Sequence, residues 1–286
     1  MFLFLILKAY KKVIIMNETI ITSHKTWKSF FQEFFDYKDV LLFLGWRDIL
    51  VQYKQTSIGI LWVIIRPLLT VIIFTIIFSR IAHIPSTQAP YPLVIFSAML
   101  VWQFFADTFT YASMSFVNNV QLISKVYFPR IMLPASRILC SLVDFSIAFL
   151  FYTALSFFRY GIVPLVNIVL LPLFMAWLAV FSFSISLLFA SLIVQYRDFR
   201  HIVPFVVQLG IYITPVGFSL AMIPKNLHFI IALNPLTGII NGFRYCLLAE
   251  TLYWPVIGIS LAMTLLLGII SILYFKKSEE TFADLI

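Results

Sequence analysis

The sequence predicts an all-α integral membrane protein with six spanning helices. Two observations carry this. Of 286 residues, 62% are apolar and only 11% are charged, against roughly 45–50% and about 25% in a soluble domain. So little polar surface cannot cover a soluble core of this size. The apolar residues also fall in continuous blocks, of the roughly 20-residue length that crosses about 30 Å of hydrocarbon. Helices then follow, because lipid offers an open backbone no hydrogen-bond partners. Barrel strands would instead alternate apolar and polar residues over about ten positions, and these runs do not. The composition argues against a disordered chain, a secreted disulfide scaffold and a nucleic-acid-binding protein. The net charge of +8 is first a matter of membrane topology.

In chain order, residues 1–26 read as a cytoplasmic leader. MFLFLILKAYKK is apolar before it is basic, the reverse of a signal peptide. Met16, where amphipathic sequence begins, is an alternative start. Residues 27–58 form an amphipathic interfacial helix and a cytoplasmic approach to the membrane. Within it Trp27, Phe30, Phe31, Phe34 and Phe35 recur at helical spacing, with Lys28, Gln32, Glu33 and Asp36 between them. Such a helix lies in the membrane interface or packs on the cytoplasmic ends of other helices.

A transmembrane domain over 59–276 follows, and then a cytoplasmic tail at 277–286. The six spans fall at about 59–81, 91–115, 134–158, 168–194, 202–222 and 254–275. Arg66-Pro67 kinks the first. The fourth apolar run starts near Pro164, long enough to be tilted or partly interfacial. Residues 227–248, between the last two spans, are too apolar for a solvated loop. They are broken at Asn234-Pro235 and Gly238, and each part is too short to cross. Two short re-entrant helices fit, if protein or a water-filled cavity shelters the broken backbone; a plain extracellular cap is the alternative.

The basic residues orient the chain. With six spans both termini share one side, and that side takes most of the 20 lysines and arginines. They run from Lys8 to Lys54, through Lys125, Arg130, Arg137, Arg197 and Arg200, to Lys276 and Lys277. Only Arg80, Arg159, Lys225 and Arg244 fall opposite, with Arg66 inside the first span. This positive-inside pattern places both termini in the cytoplasm.

Asp107 and Asp144 are intramembrane carboxylates. Burying such a charge costs at least about 2.5 kcal/mol, so each needs a partner, a cavity or the protein interior. A proton relay and a hydrogen-bonded packing role are both open for them. Arg66 snorkels towards the cytoplasm or pairs inside the assembly. Trp102, Phe104, Phe105, Phe109 and Tyr111 crowd the second span. Most aromatics in a membrane protein face lipid or its interface, but ring faces also bind sugars through burial and C–H contacts. No GxSxG elbow, acidic catalytic cluster or GxxxxGK[ST] loop is present, so any ATP energy has to come from a partner. Two cysteines and four scattered histidines make neither a disulfide framework nor a metal site.

Four blocks carry a family resemblance. WRDILVQYKQTSIGILWVIIRPLL (46–69), LISKVYFPRIMLPASRILCSLVDF (122–145), VQYRDFRHIVPFVVQLGIYITPVGFS (194–219) and NPLTGIINGFRYCLL (234–248) resemble, in order and spacing, permease subunits of type 2 ABC exporters. The branch is the one that exports lipopolysaccharide O-antigen, capsule or teichoic acid. The resemblance covers about residues 28–276. It implies a homodimer in the inner or plasma membrane that contacts membrane lipids and passes a polyprenyl-linked polysaccharide, with no nucleic acid involved. Two copies of a separate ABC ATPase would hold ATP and magnesium, and this chain would bind no cofactor or metal and carry no catalytic residue. Lys125, Arg130, Arg197, Asp198 and Arg200 would meet that ATPase, although topology alone also accounts for such basic residues. Asn234, Pro235 and Arg244 would belong to an outer re-entrant gate, and Trp102, Phe105, Phe109 and Tyr111 to the substrate path. Arg66 stands where the family more often has an uncharged polar residue, so its role carries over poorly. A drug- or lipid-exporting permease of the same type remains an alternative, as does an ion-coupled secondary transporter using Asp107 or Asp144.

Overall fold

The computed structural model describes residues 36–54, 59, 61–81, 89–161 and 167–279. The expected leader at 1–26, the amphipathic repeat at 27–35 and the end of the tail lie outside these. All regular structure among the described residues is helical. Five stretches are long and apolar enough to cross a bilayer: Leu61–Phe78, Tyr91–Ser113, Met132–Tyr160, Ile168–Gln195 and Trp254–Glu279.

A first helix, α1 (Lys38–Lys54), precedes them, and α2 (Leu61–Phe74) continues into a π-helical turn at Thr75–Ile81. The long helix α3 (Tyr91–Ser113) is followed by two short ones, α4 (Ser115–Asn118) and α5 (Val120–Lys125). Next come α6 (Met132–Tyr160) and α7 (Leu171–Gln195). Gly161 closes α6 in the left-handed region at φ +65°, where its N–H donates back to Ser156 and Phe157 carbonyls; a side chain there would be strained.

The fifth expected span, 202–222, is divided. Helix α8 (Phe199–Ile213) has 15 residues, a length of about 22 Å, short of the hydrocarbon thickness. It ends because Pro215 disfavours helical geometry at the residue before it, and Thr214 is extended at φ −83°, ψ 141°. Residues 214–219 then run irregularly. The segment expected to be re-entrant forms α9 (His228–Ala232) and α10 (Pro235–Leu248), broken at Asn234 as its sequence predicts. The last helix is α11 (Trp254–Glu279).

Helix α3 is the axis of the bundle. Its spanning window is 83% buried, against 17% for α2 and 22% for α11, because α2, α6, α7, α8 and α10 all pack on it. The outer helices turn Leu69, Ile72, Leu150, Phe158, Leu265 and Ile269 outward, as lipid requires. Where α11 meets α7 the contact is made by small and hydroxyl residues. Gly268 of α11 approaches Ser184 of α7, whose Oγ would lie 3.3 Å from a Cβ there, and Thr264 and Ser271 of α11, like Ser182 and Ser186 of α7, are buried. In lipid no hydrophobic force drives helices together, so close approach and hydrogen bonds take its place. Trp177 Nε1 donates to Thr264 Oγ1 at 2.8 Å, and Thr264 donates to the Ser260 carbonyl at 2.9 Å.

Candidate functional site

Four elements converge on a cavity of about 290 Å³ towards one end of the bundle. Helix α1 contributes Gln52 and Tyr53, α2 contributes Trp62 and Arg66, α3 contributes Gln103, Asp107 and Tyr111, and α6 contributes Asp144. The two carboxylates that looked isolated in the sequence therefore line the same space. Neither is held by a cation at hydrogen-bonding distance among the described residues. Gln103 Nε2 donates to Asp107 Oδ2 at 2.7 Å, one helical turn away, a favourable i,i+4 pair. Gln52 Nε2 donates to Asp144 Oδ2 at 2.9 Å, and the Tyr53 hydroxyl donates to Asp144 Oδ1. Burial first, and that bond next, push the Tyr53 phenol well above its ordinary pKa, so it stays a donor. Below the cavity floor Thr108 Oγ1 donates to Ser141 Oγ at 2.8 Å, linking α3 and α6.

The cations stand at the rim. The Arg66 guanidinium lies 5.9 Å from the Trp62 ring, and that of Arg137 lies 4.5 Å from the Tyr111 ring. Both are within cation–π range. Asp48 of α1 accepts from Arg47 at 2.7 Å and pairs with Arg137 Nη1 at 3.4 Å. Through these contacts α1 is fastened to α6, and α6 to the Tyr111 end of α3.

The aromatic residues of α3 divide. Tyr111 is half-exposed and borders the cavity. Trp102, Phe105 and Phe109 are buried inside the protomer instead. Phe105 stacks on Phe109 and on Phe181 of α7, with ring centroids 5.5 Å apart in each case, and Phe109 meets Phe189 edge-on at 5.0 Å. The Trp102 ring fills the space over Gly210 of α8, where a Cβ would lie 2.7 Å from it. Spacing of three and four residues puts these rings on the α7–α8 side of α3, where they are buried among the described residues.

At the same end, the residues expected to meet a partner gather on the surface. Lys125 ends α5, and Arg197, Asp198 and Arg200 form the turn from α7 into α8; all four are exposed. Arg130 is partly buried, and its Nη1 donates to the Glu279 carbonyl at 2.9 Å, tying this surface to the end of α11. Val126, Tyr127 and Tyr196 are exposed beside them.

The opposite end holds the broken helices. Asn234 caps α10 by accepting from the Leu236 N–H at 3.1 Å, and its Nδ2 donates to Thr214 Oγ1 at 2.9 Å. Pro235 occupies the first helical position, where no N–H is needed. Ser260 Oγ donates to the Ala232 carbonyl at 2.9 Å. Asn241 accepts from the Tyr253 N–H at 2.9 Å and donates to the Thr251 carbonyl at 3.1 Å. Arg244, 1% exposed, donates Nη1 to the Phe218 carbonyl at 2.8 Å, and Nη2 to those of Val216 at 3.0 Å and Val94 at 3.3 Å. Side chains therefore satisfy the irregular backbone at this end, the condition that lipid-depth loops must meet.

Sequence reasoning named Asp107, Asp144, Arg66 and Tyr111 but not their partners Gln52, Tyr53, Gln103 and Trp62. Gln103, four residues from Asp107, and Trp62, four residues from Arg66, could have been found by spacing; Gln52 and Tyr53 could not.

A model of the ABC-2 type transporter family matches residues 40–248. The chain is 30% identical over 256 residues to an O-antigen export system permease protein RfbA of Klebsiella pneumoniae, and 29% identical over 250 residues to another protein of that name and organism. Each match covers 87% of this chain and 95% of the relative. A Myxococcus xanthus protein of the same name is 24% identical over 255 residues, covering 87% of this chain and 96% of its own. With the family match running from α1 to the end of α10, this chain is a member of the ABC-2 type transporter family.

Proposed function

We propose that this chain is the permease subunit of an ATP-driven exporter that moves a lipid-linked polysaccharide out across the cytoplasmic membrane. The observation that carries the reading is the end-to-end likeness to O-antigen export permeases, 87% of this chain against 95% of two of them. Two copies of the chain enclose the path, and two copies of a separate ABC ATPase bind ATP and magnesium and drive it. Capsule and teichoic acid polymers belong to the same substrate class. Both termini lie in the cytoplasm, so the exposed Lys125, Arg197, Asp198 and Arg200 face the ATPase. Asn234, Pro235 and Arg244 then belong to the outer closure built from α9 and α10. Tyr111 borders the path, and Trp102, Phe105 and Phe109 brace its wall from behind.

The physics of the task favours such a design. A charged headgroup with its glycan cannot cross hydrocarbon unaided, and a polar path between protomers lowers that barrier. ATP supplies direction only if the ATPase contacts the permease differently in its two states. The test is a deletion strain: polymer should accumulate inside the cell and disappear from its surface, and the tagged permease should copurify with an ABC ATPase. Undiminished surface polymer in the deletion strain, or transport that survives loss of the ATPase, overturns the proposal; the latter would favour ion coupling through Asp107 or Asp144.

A further inference from the structure

Packing alone does not account for two carboxylates beside open space in the membrane domain. A carboxylate kept for packing is best surrounded by donors with no room to spare, or replaced by an apolar group of similar volume. Here about 290 Å³ remains beside Asp107 and Asp144, many times the space that one water needs. Three kinds of group face that space. Asp107 receives a bond from Gln103 on one oxygen, whereas a carboxylate offers about four acceptor sites. Arg66 brings guanidinium donors to the same wall. Trp62 and Tyr111 stand at the rim, 45% and 47% exposed, each held by a guanidinium near its ring.

We propose that this cavity binds one sugar unit of the exported glycan, neutral or amino-substituted rather than acidic. The inference rests on the polysaccharide-export reading above. A sugar ring carries hydroxyls that both donate and accept around its edge, and C–H groups on its faces. The Gln103–Asp107 pair and Asp144 meet the edge with acceptors and an amide in fixed orientation, and Arg66 adds donors. The rims of Trp62 and Tyr111 cover the apolar face, where burial and not directed bonding supplies the affinity. An acidic sugar would set its own carboxylate against two others in the lining, where Arg66 is the one guanidinium and Arg137 is turned to the Tyr111 ring, an arrangement that like-charge repulsion disfavours in a partly buried site.

The permease–ATPase complex in lipid nanodiscs tests this by saturation-transfer NMR. The probes are a methyl hexoside, glucosamine and glucuronate. The first two should receive magnetisation from the protein and glucuronate should not. Tyr111→Ala, at the exposed rim, and Gln103→Leu, each checked for an unchanged unfolding midpoint, should each lower the signal at least fivefold. Equal transfer to glucuronate, no transfer to the other two probes, or signals unchanged in both variants would overturn the assignment. Surface polymer in the deletion strain is measured in parallel. If deletion abolishes export while the sugar signals fail, only the cavity assignment falls; if deletion leaves export intact, the export reading falls.

Discussion

Replacing Arg244 by methionine removes the group that holds the irregular stretch after α8 to the rest of the bundle. Its cost can be worked from the contacts. Three carbonyls lose a charged donor, those of Val94, Val216 and Phe218. Val94 sits in α3, and its carbonyl also accepts from Ser97 Oγ at 2.8 Å, so its loss is small. Val216 and Phe218 lie outside any helix. Bonds from a charged donor contribute about 1.5–3 kcal/mol each, so two amount to roughly 3–6 kcal/mol. Against this, methionine no longer requires a guanidinium to be taken out of water, and Arg244 Nε has no partner among the described residues. Buried ion desolvation can exceed the gain from pairing, so a net loss of about 2–4 kcal/mol is expected. Arg244→Lys should fall between, because a single ammonium cannot serve the divergent carbonyls that a planar fork reaches.

The assay is reversible unfolding in mixed micelles, titrated with sodium dodecyl sulfate and followed by tryptophan fluorescence. Limited proteolysis at 214–224 should increase in parallel. A loss below about 0.5 kcal/mol, the range of an ordinary surface change, would refute the view that Arg244 secures this segment.

Three further outcomes follow from the same contacts. Gly242→Ala places a Cβ 2.1 Å from Phe174 Cε1, on a buried ring that cannot swing away; a loss of about 1–3 kcal/mol is expected in the same titration, with Phe174→Leu restoring part of it. Asn234→Ala removes the α10 cap and the bond to Thr214, costing about 1 kcal/mol through the cap alone. Asn234→Asp keeps the cap acceptor and should unfold later than Asn234→Ala. Charge reversal at Lys125 and Arg200 together, both exposed, should cut the copurified ATPase several-fold, more so at low salt, and leave the unfolding midpoint of the permease unchanged.

What could be read from the chain tracks how local each signal is. Spanning helices need only length and hydropathy, and α2, α3, α6, α7 and α11 stand where those predict. The end of α8 depended on Thr214-Pro215, which the apolar run through 222 hides from a hydropathy reading. The break at Asn234-Pro235 was visible because both cap chemistry and proline signal it. Aromatic crowding in α3 did not reveal which rings are buried within the protomer, since in lipid a residue facing the protein core and one facing the acyl chains are equally apolar. The cavity was out of reach for another reason. Asp144 and its donors Gln52 and Tyr53 are 92 and 91 positions apart, and no spacing rule connects them.

The buried polar groups differ in what they hold, and that difference indicates where the molecule can move. At the end that holds α9 and α10, Arg244, Asn234, Asn241 and Ser260 all bond backbone. Moving that end would expose carbonyls and N–H groups that lipid cannot satisfy. At the opposite end Asp144 is held by side chains of α1, and Arg137 joins Asp48 through one 3.4 Å contact. Such contacts can break and leave every helical backbone bond intact. Helix α2, with 17% of its window buried, has the least apolar packing to lose among the spanning helices. Segments with few buried contacts open at the lowest free energy. A conformational change driven from the surface that carries Lys125 and Arg200 therefore meets least resistance in α2, one of the helices that wall the cavity, while α3, α7, α10 and α11 keep their register.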